Sequence, residues 1–143
     1  NNIMSTLQRA IEIAVEAHKD QKDKAGMPYI LHPLRLMFQM KTDNEKMAAV
    51  LHDVVEDSDW TLDDLKKEGF NSEVLKAVSL LTRDDNDSYD EFVQKAASNP
   101  ISKAVKIADI TDNLDLSRIS NVTDKDVARV KKYQRVLKTL TEE

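Results

Sequence analysis

A Ser or Thr stands three residues before Gln, Asp or Glu at the head of several apolar stripes of this chain, among them Ser5 with Gln8, Thr61 with Asp64, Ser88 with Glu91, and Thr123 with Asp126. Each such pair can satisfy two orphaned backbone amides reciprocally, so each announces the start of a helix. The stripes that follow repeat at helical spacing. Leu7, Ala10, Ile11, Ala14 and Ala17 share one face of the first, and Val127, Val130, Leu137 and Leu140 one face of the last. Between them, Pro33 suits the first turn of a short helix carrying Leu34, Leu36, Met37 and Met40. Asn44 is expected to cap a third helix, Asn71 precedes Val74, Leu75, Val78 and Leu81, and Asn99-Pro100 opens a helix with Ile101, Ala104, Val105 and Ala108. Gly26 with Pro28 breaks the first run, and Gly69 ends the short helix after Thr61. No segment alternates with period two, and Asn-Gly or Asp-Gly hairpin turns are absent. A length of 143 residues suits one domain. The expectation is an all-α bundle of about seven or eight helices. Residues 1–3, ahead of Met4, read as an upstream remnant, so the domain is taken as 4–143.

Counting residues excludes several kinds of chemistry. With no cysteine there is no disulfide, no thiolate zinc site and no cysteine nucleophile. Two glycines cannot build a Walker A loop or a dinucleotide-binding fingerprint, which need several close together. A net charge of −5 argues against a nucleic-acid polymer as partner, because a phosphate backbone demands a basic face. No apolar run approaches a membrane span and no secretory signal heads the chain, so the expected location is the cytoplasm, with no membrane partner. Only His18, His32 and His52 can supply imidazole chemistry.

Ionisable residues gather where the third helix ends. Met47-Ala48-Ala49-Val50-Leu51 is apolar nearly all round, which predicts a central, buried helix. It runs into His52-Asp53-Val54-Val55-Glu56-Asp57, and on a continuous helix His52, Asp53, Glu56 and Asp57 fall within an arc of about 140°. Three carboxylates on one buried side are costly without a cation, so either this helix end faces water or a cation sits there. His32, just before Pro33, suits a capping or hydrogen-bonding role as well as a ligand's. Asp109 interrupts the apolar stretch Val105-Lys106-Ile107-Ala108 and either faces out or points into the core. Together His32, His52, Asp53 and Asp109 offer two imidazoles and two carboxylates, a set suited to Mn²⁺, Fe²⁺ or Zn²⁺ with water completing an octahedron.

The words around these residues carry a resemblance. Lys22-Asp23-Lys24-Ala25-Gly26-Met27-Pro28-Tyr29-Ile30-Leu31-His32-Pro33, then His52-Asp53-Val54-Val55-Glu56-Asp57, then Val105-Lys106-Ile107-Ala108-Asp109 resemble an HD-domain phosphohydrolase. More narrowly they resemble the hydrolase domain of RelA/SpoT-type alarmone enzymes and the small stand-alone alarmone hydrolases, across residues 7–118. The resemblance implies a single HD-domain helical bundle, one Mn²⁺ on His32, His52, Asp53 and Asp109, and catalytic roles for Glu56 and Asp57. Glu56 would hold or deprotonate the attacking water, and Asp57 would assist proton delivery. Asn113, four residues after Asp109 on the same face, matches a ribose-contacting asparagine. Lys22, Lys24, Lys106 and Arg118 are the cations available to an anionic nucleotide, with ordinary surface solvation as the competing reading. His18 matches an Ala-His pair in the family's first helix and is read as a structural hydrogen bond.

The implied reaction removes the 3′-pyrophosphate of guanosine tetra- or pentaphosphate (ppGpp or pppGpp), giving GDP or GTP. Long RelA/SpoT enzymes commonly carry Arg-Lys where this chain has Gln21-Lys22, and arginine where it has Asp115. These departures bear on base selectivity and phosphate grip. A chain ending at Glu143 leaves no room for a synthetase domain, so hydrolysis alone is expected. Two other readings remain: an HD phosphohydrolase acting on another nucleotide, and a nucleotide-sensing module that does not cleave. The apolar stripe from Val127 to Leu140 suits either packing within the chain or the seam of a homodimer.

Overall fold

A computed structural model of the chain describes residues 4–142; the reading of residues 1–3 and the domain's last residue lie outside them. Among the described residues nine helical segments follow one another: α1 (Leu7–Ala17), α2 (Leu31–Phe38), α3 (Asp43–Leu51), α4 (Val54–Asp57), α5 (Leu62–Lys67), α6 (Ser72–Leu80), α7 (Tyr89–Ala97), α8 (Pro100–Asn113) and α9 (Asp124–Thr141). Among the described residues the only extended pairing is an isolated bridge between Lys22 and Pro28. The all-α expectation holds. Its count of seven or eight agrees if α3 and the single turn of α4 are taken as one interrupted helix.

Three of the four capping boxes form as read, at Thr61, Ser88 and Thr123, and Asn71 and Asn99 cap α6 and α8. Two starts differ. Thr6, not Ser5, caps α1 by accepting from the Arg9 amide, because the Ser5 amide is committed to the Gly69 carbonyl at 3.0 Å. Thr42 caps α3 in a full box with Glu45, which frees the Asn44 amide group to donate to Glu73 at 2.8 Å. His32 is already the second residue of α2, not an extended residue ahead of it. Pro33 is tolerated there because the first turn needs no amide from it.

At the centre lies α3, packed against α1, α2, α6 and α8. Ala48, Ala49, Val50 and Leu51 are fully buried, as the all-round apolar pattern required. Each large aliphatic chain removed from water here contributes about 1.5–3 kcal/mol. A second apolar cluster joins Val93 of α7, Ile110 of α8 and Val136 and Leu140 of α9. The stripe on α9 is therefore used within the chain, although Val127 at its start stays 43% exposed. No helix among the described residues is long and apolar enough to cross a membrane.

The helical ladder breaks between α3 and α4. The Asp53 backbone sits at φ −104°, ψ 0°, in the bridge region, so Val54 restarts a turn out of register with α3. His52, Asp53, Glu56 and Asp57 still line one cleft, but a kink delivers them rather than a single helical face. That kink faces the start of α2 and the middle of α8, and the site lies between the three.

Candidate metal centre and active site

Three helices each bring one donor to a common point. The histidine rings of His32 and His52 have centroids 5.5 Å apart, edge to face. His32 Nε2 lies 2.8 Å from Asp109 Oδ1, and His52 Nε2 lies 3.7 Å from the same oxygen. The donor atoms of His32, His52 and Asp109 fall within 4.8 Å of one another, a little over twice a metal–ligand bond of about 2.1 Å. Asp53 stands beside this trio with Oδ2 at 2.9 Å from His52 Nε2, and the same oxygen accepts from the Tyr29 hydroxyl. All four residues expected as ligands therefore meet, with Asp53 the outlying one.

The tautomers point the correct nitrogens inward. His52 Nδ1 donates to the Ala49 carbonyl at 2.7 Å, inside α3, which leaves Nε2 facing the carboxylates. That Nε2 is buried and has no hydrogen-bond partner, since its approach to Asp53 has the distance but not the direction of one. An orphaned imidazole nitrogen aimed at two carboxylates is what a cation between them would satisfy. Burial works against charging His52, but Asp53 and Asp109 outweigh it and hold its pKa well above the usual histidine value. The same contest raises His32, where Asp109 and Asp112 prevail over burial. Asp109 is held well below the usual carboxylate range: burial opposes this, and its bond to His32 with the nearby His52 ring and the Lys106 charge overcome it. Two imidazoles, two carboxylates and an unsatisfied buried nitrogen fit a borderline divalent ion.

Around the centre is a cleft of about 270 Å³ with Glu56 and Asp57 on its wall. A Glu56 oxygen accepts from the Arg83 amide, which fixes the carboxylate's position. Asp57 is pushed up to about 6, first by burial and then by the negative charges of Asp53 and Glu56. It can therefore exchange a proton close to neutral pH. Lys106 corrects the surface reading: it is 6% exposed, its ammonium 3.1 Å from Asp109 Oδ2 and 4.6 Å above the centre of the Phe92 ring. Asn113 Nδ2 donates to Asp109 Oδ1 at 3.3 Å and lines the cleft as expected.

A second cavity, about 400 Å³, opens on the far side of Tyr29, His32 and Asn113, which border both. Lys22, Lys24 and Arg118 line it, so the remaining expected cations gather there and not at the carboxylates. Arg35, Arg129 and Tyr133 join them, and the sequence reading had passed over all three. Arg118 is shared between Asp115 at 3.0 Å and the Asp112 carbonyl at 3.0 Å. Gln21 turns away from this cavity. Its amide nitrogen donates to the carbonyls of Asp57 and Ala17, and its oxygen takes the His18 Nδ1 proton at 2.9 Å. His18 thus has the structural hydrogen bond expected of it.

Asp112 was also missed. Its carboxylate accepts from His32 Nδ1 at 2.6 Å and from Arg35 at 2.8 and 2.9 Å. A signal existed: Asp112 lies one turn beyond Asp109, and Arg35 one turn beyond His32, so two facing helices repeat the same pairing of charge.

No protein-family profile matches the chain. Sequence relatives do. A guanosine-3′,5′-bis(diphosphate) 3′-pyrophosphohydrolase of Aquifex aeolicus is 35% identical over 120 residues, spanning 76% of this chain and 17% of that protein. The bifunctional (p)ppGpp synthase/hydrolase SpoT of Escherichia coli K12 is 34% identical over 122 residues, again 76% of this chain and 17% of its own. The chain is a homologue of the SpoT-type proteins. This bears out the resemblance read from the motifs. The match spans about a sixth of such a relative's length, and another of them, from Mycobacterium leprae, is named a probable GTP pyrophosphokinase, 32% identical over 80% of this chain and 16% of its own. Among solved structures, one described as a metazoan orthologue of SpoT that hydrolyses ppGpp superposes with a TM-score of 0.79 over 99% of this chain and 88% of that one, at 24% identity. That likeness establishes a shared fold.

Proposed function

We propose that this chain hydrolyses the 3′-pyrophosphate of guanosine tetra- and pentaphosphate to GDP or GTP, in the cytoplasm, using one Mn²⁺ held by His32, His52, Asp53 and Asp109. The observation that carries the reading is the orphaned, buried His52 Nε2 converging with His32 and Asp109 on a point walled by Glu56 and Asp57. Names borne by relatives at 34–35% identity supply the substrate. When bound, a divalent ion makes hydroxide accessible near neutral pH and offsets charge on phosphoryl oxygens.

The chain's own residues do the rest. The basic cavity receives the nucleotide body, with Lys22, Lys24 and Arg118 around its phosphates and Asn113 between the two cavities at the ribose. This directs the 3′-pyrophosphate past Tyr29 into the acidic cleft, where Lys106 meets its charge. Glu56, fixed by the Arg83 amide, orients the water and takes its proton as the water oxygen attacks the 3′-linked phosphorus in line. As the bond to the ribose oxygen breaks, Asp57 delivers the proton that oxygen needs. Gln21 takes no part in phosphate grip, and base selectivity falls to the second cavity.

A substrate panel tests the reading. Mn²⁺-loaded protein is expected to release pyrophosphate from ppGpp with a higher kcat/KM than it shows on nucleoside monophosphates, an adenine alarmone or a nucleotide cofactor. Faster turnover of one of those would replace the substrate, and tight ppGpp binding with no product would make the chain a sensor.

A further inference from the structure

We propose that Asp112 is the positioning residue of the metal centre, presenting His32 Nε2 to the ion through a clamp that also forms a wall of the nucleotide cavity. The inference rests on the metal site proposed above and adds a residue outside the ligand set.

His32 is the second residue of α2, and its ring bonds two carboxylates rather than a backbone carbonyl such as that of Ala49, which orients His52. What orients His32 instead is Asp112, 80 residues away in sequence and only 6% exposed. Its Oδ2 takes the His32 Nδ1 proton at 2.6 Å, which forces Nε2 toward Asp109. A carboxylate in this place fixes the tautomer of a ligating imidazole and raises its basicity. The carboxylate itself is immobilised from two sides. Arg35 binds it with Nε to Oδ1 at 2.8 Å and Nη2 to Oδ2 at 2.9 Å, and Arg118 Nη2 lies 3.5 Å from Oδ1. Such a bidentate guanidinium pair has a defined plane and leaves the carboxylate little rotational freedom. Arg35, Arg118 and Asp112 all line the 400 Å³ cavity, so one carboxylate borders the nucleotide space and holds a ligand of the ion.

Two readouts test this without reference to turnover. The first is Mn²⁺ affinity, measured by electron paramagnetic resonance titration of metal-stripped protein. Asp112→Asn keeps the side chain's size but replaces an acceptor oxygen with a donor, so it cannot serve His32 and Arg35 together. Affinity is expected to fall 10- to 100-fold. Asp115→Asn removes the same charge three residues away, touches Arg118 but not His32, and is expected to leave affinity within about twofold. Unchanged affinity in Asp112→Asn, or equal losses in both variants, overturns the proposal. The second readout needs no variant. In Zn²⁺-loaded wild-type protein, His32 should show a protonated Nδ1 with a downfield, slowly exchanging proton resonance. A protonated Nε2 there overturns the assignment even if Asp112→Asn does not fold. Wild-type protein that takes up neither metal removes the proposed metal site along with this inference, whereas a normally loading Asp112→Asn removes the inference alone.

Discussion

Loading the centre with a divalent ion should expel protons, and the number follows from the contacts of the two ligating histidines. In the metal-free chain His32 lies against Asp109 and Asp112, and His52 against Asp53 and Asp109; both pKa values are raised above the ordinary histidine value. At about pH 6, below the ordinary value of about 6.5, both rings carry charge. Each must present a neutral Nε2 to the ion, so binding releases about two protons there. One proton per site corresponds to about 1.36 kcal/mol per pH unit, hence about 2.7 kcal/mol for two, and apparent Mn²⁺ affinity should climb about 100-fold from pH 5.5 to 6.5. Release then declines toward zero as pH passes the raised values. Calorimetric Mn²⁺ titrations in buffers of different ionisation enthalpy count these protons directly. The same linkage has a sign for stability. The raised histidines stabilise the metal-free fold fully below about pH 6.5, and that contribution disappears as pH rises through their folded-state values. Release of less than half a proton at pH 6, with no pH dependence of affinity, would refute the charged histidine pair and the ligand set built on it.

Replacing Asp57 with Asn should lower kcat by 10²–10⁴-fold and remove the decline in activity expected of wild-type protein as pH rises through about 6, read from a pH–rate profile. Leu51→Ala, at a fully buried position in the central helix, should cost about 2–5 kcal/mol in denaturant unfolding; a loss below 1 kcal/mol would mean the core collapses around the gap. Gln21→Ala removes the tie between His18 and the Asp57 carbonyl and should lower stability by about 1 kcal/mol and reduce kcat while sparing KM. A tenfold rise in KM instead would return Gln21 to the phosphate-binding set.

Local chemistry made most of the architecture legible. Capping pairs at Thr61, Ser88 and Thr123 depend on residues three apart, so sequence alone locates them. Where a distant group intervened, the reading slipped: the Gly69 carbonyl claims the Ser5 amide, and α1 starts one residue later. The meeting of His32, His52, Asp53 and Asp109 at one point was legible because metal chemistry restricts residue types severely and only three histidines exist. Charge pairing was not. For Lys106 the sequence left surface solvation open beside a nucleotide contact, because the Phe92 ring that helps bury it is contributed by packing, not by neighbours in a motif. Asp112 hid for the same reason, since its partners His32 and Arg35 lie 80 and 77 residues away. The kink at Asp53 was invisible to a periodicity argument, which extends a helix until a breaker residue stops it.

Metal-stripped protein, wild-type and Asp53→Ala, is titrated with Mn²⁺ while pyrophosphate release from ppGpp is followed. Wild-type release should appear in step with one bound ion per chain and be absent from Asp53→Ala, which should also bind the ion far more weakly. Release that ignores Mn²⁺, or full turnover by the variant, would contradict a single metal centre on His32, His52, Asp53 and Asp109.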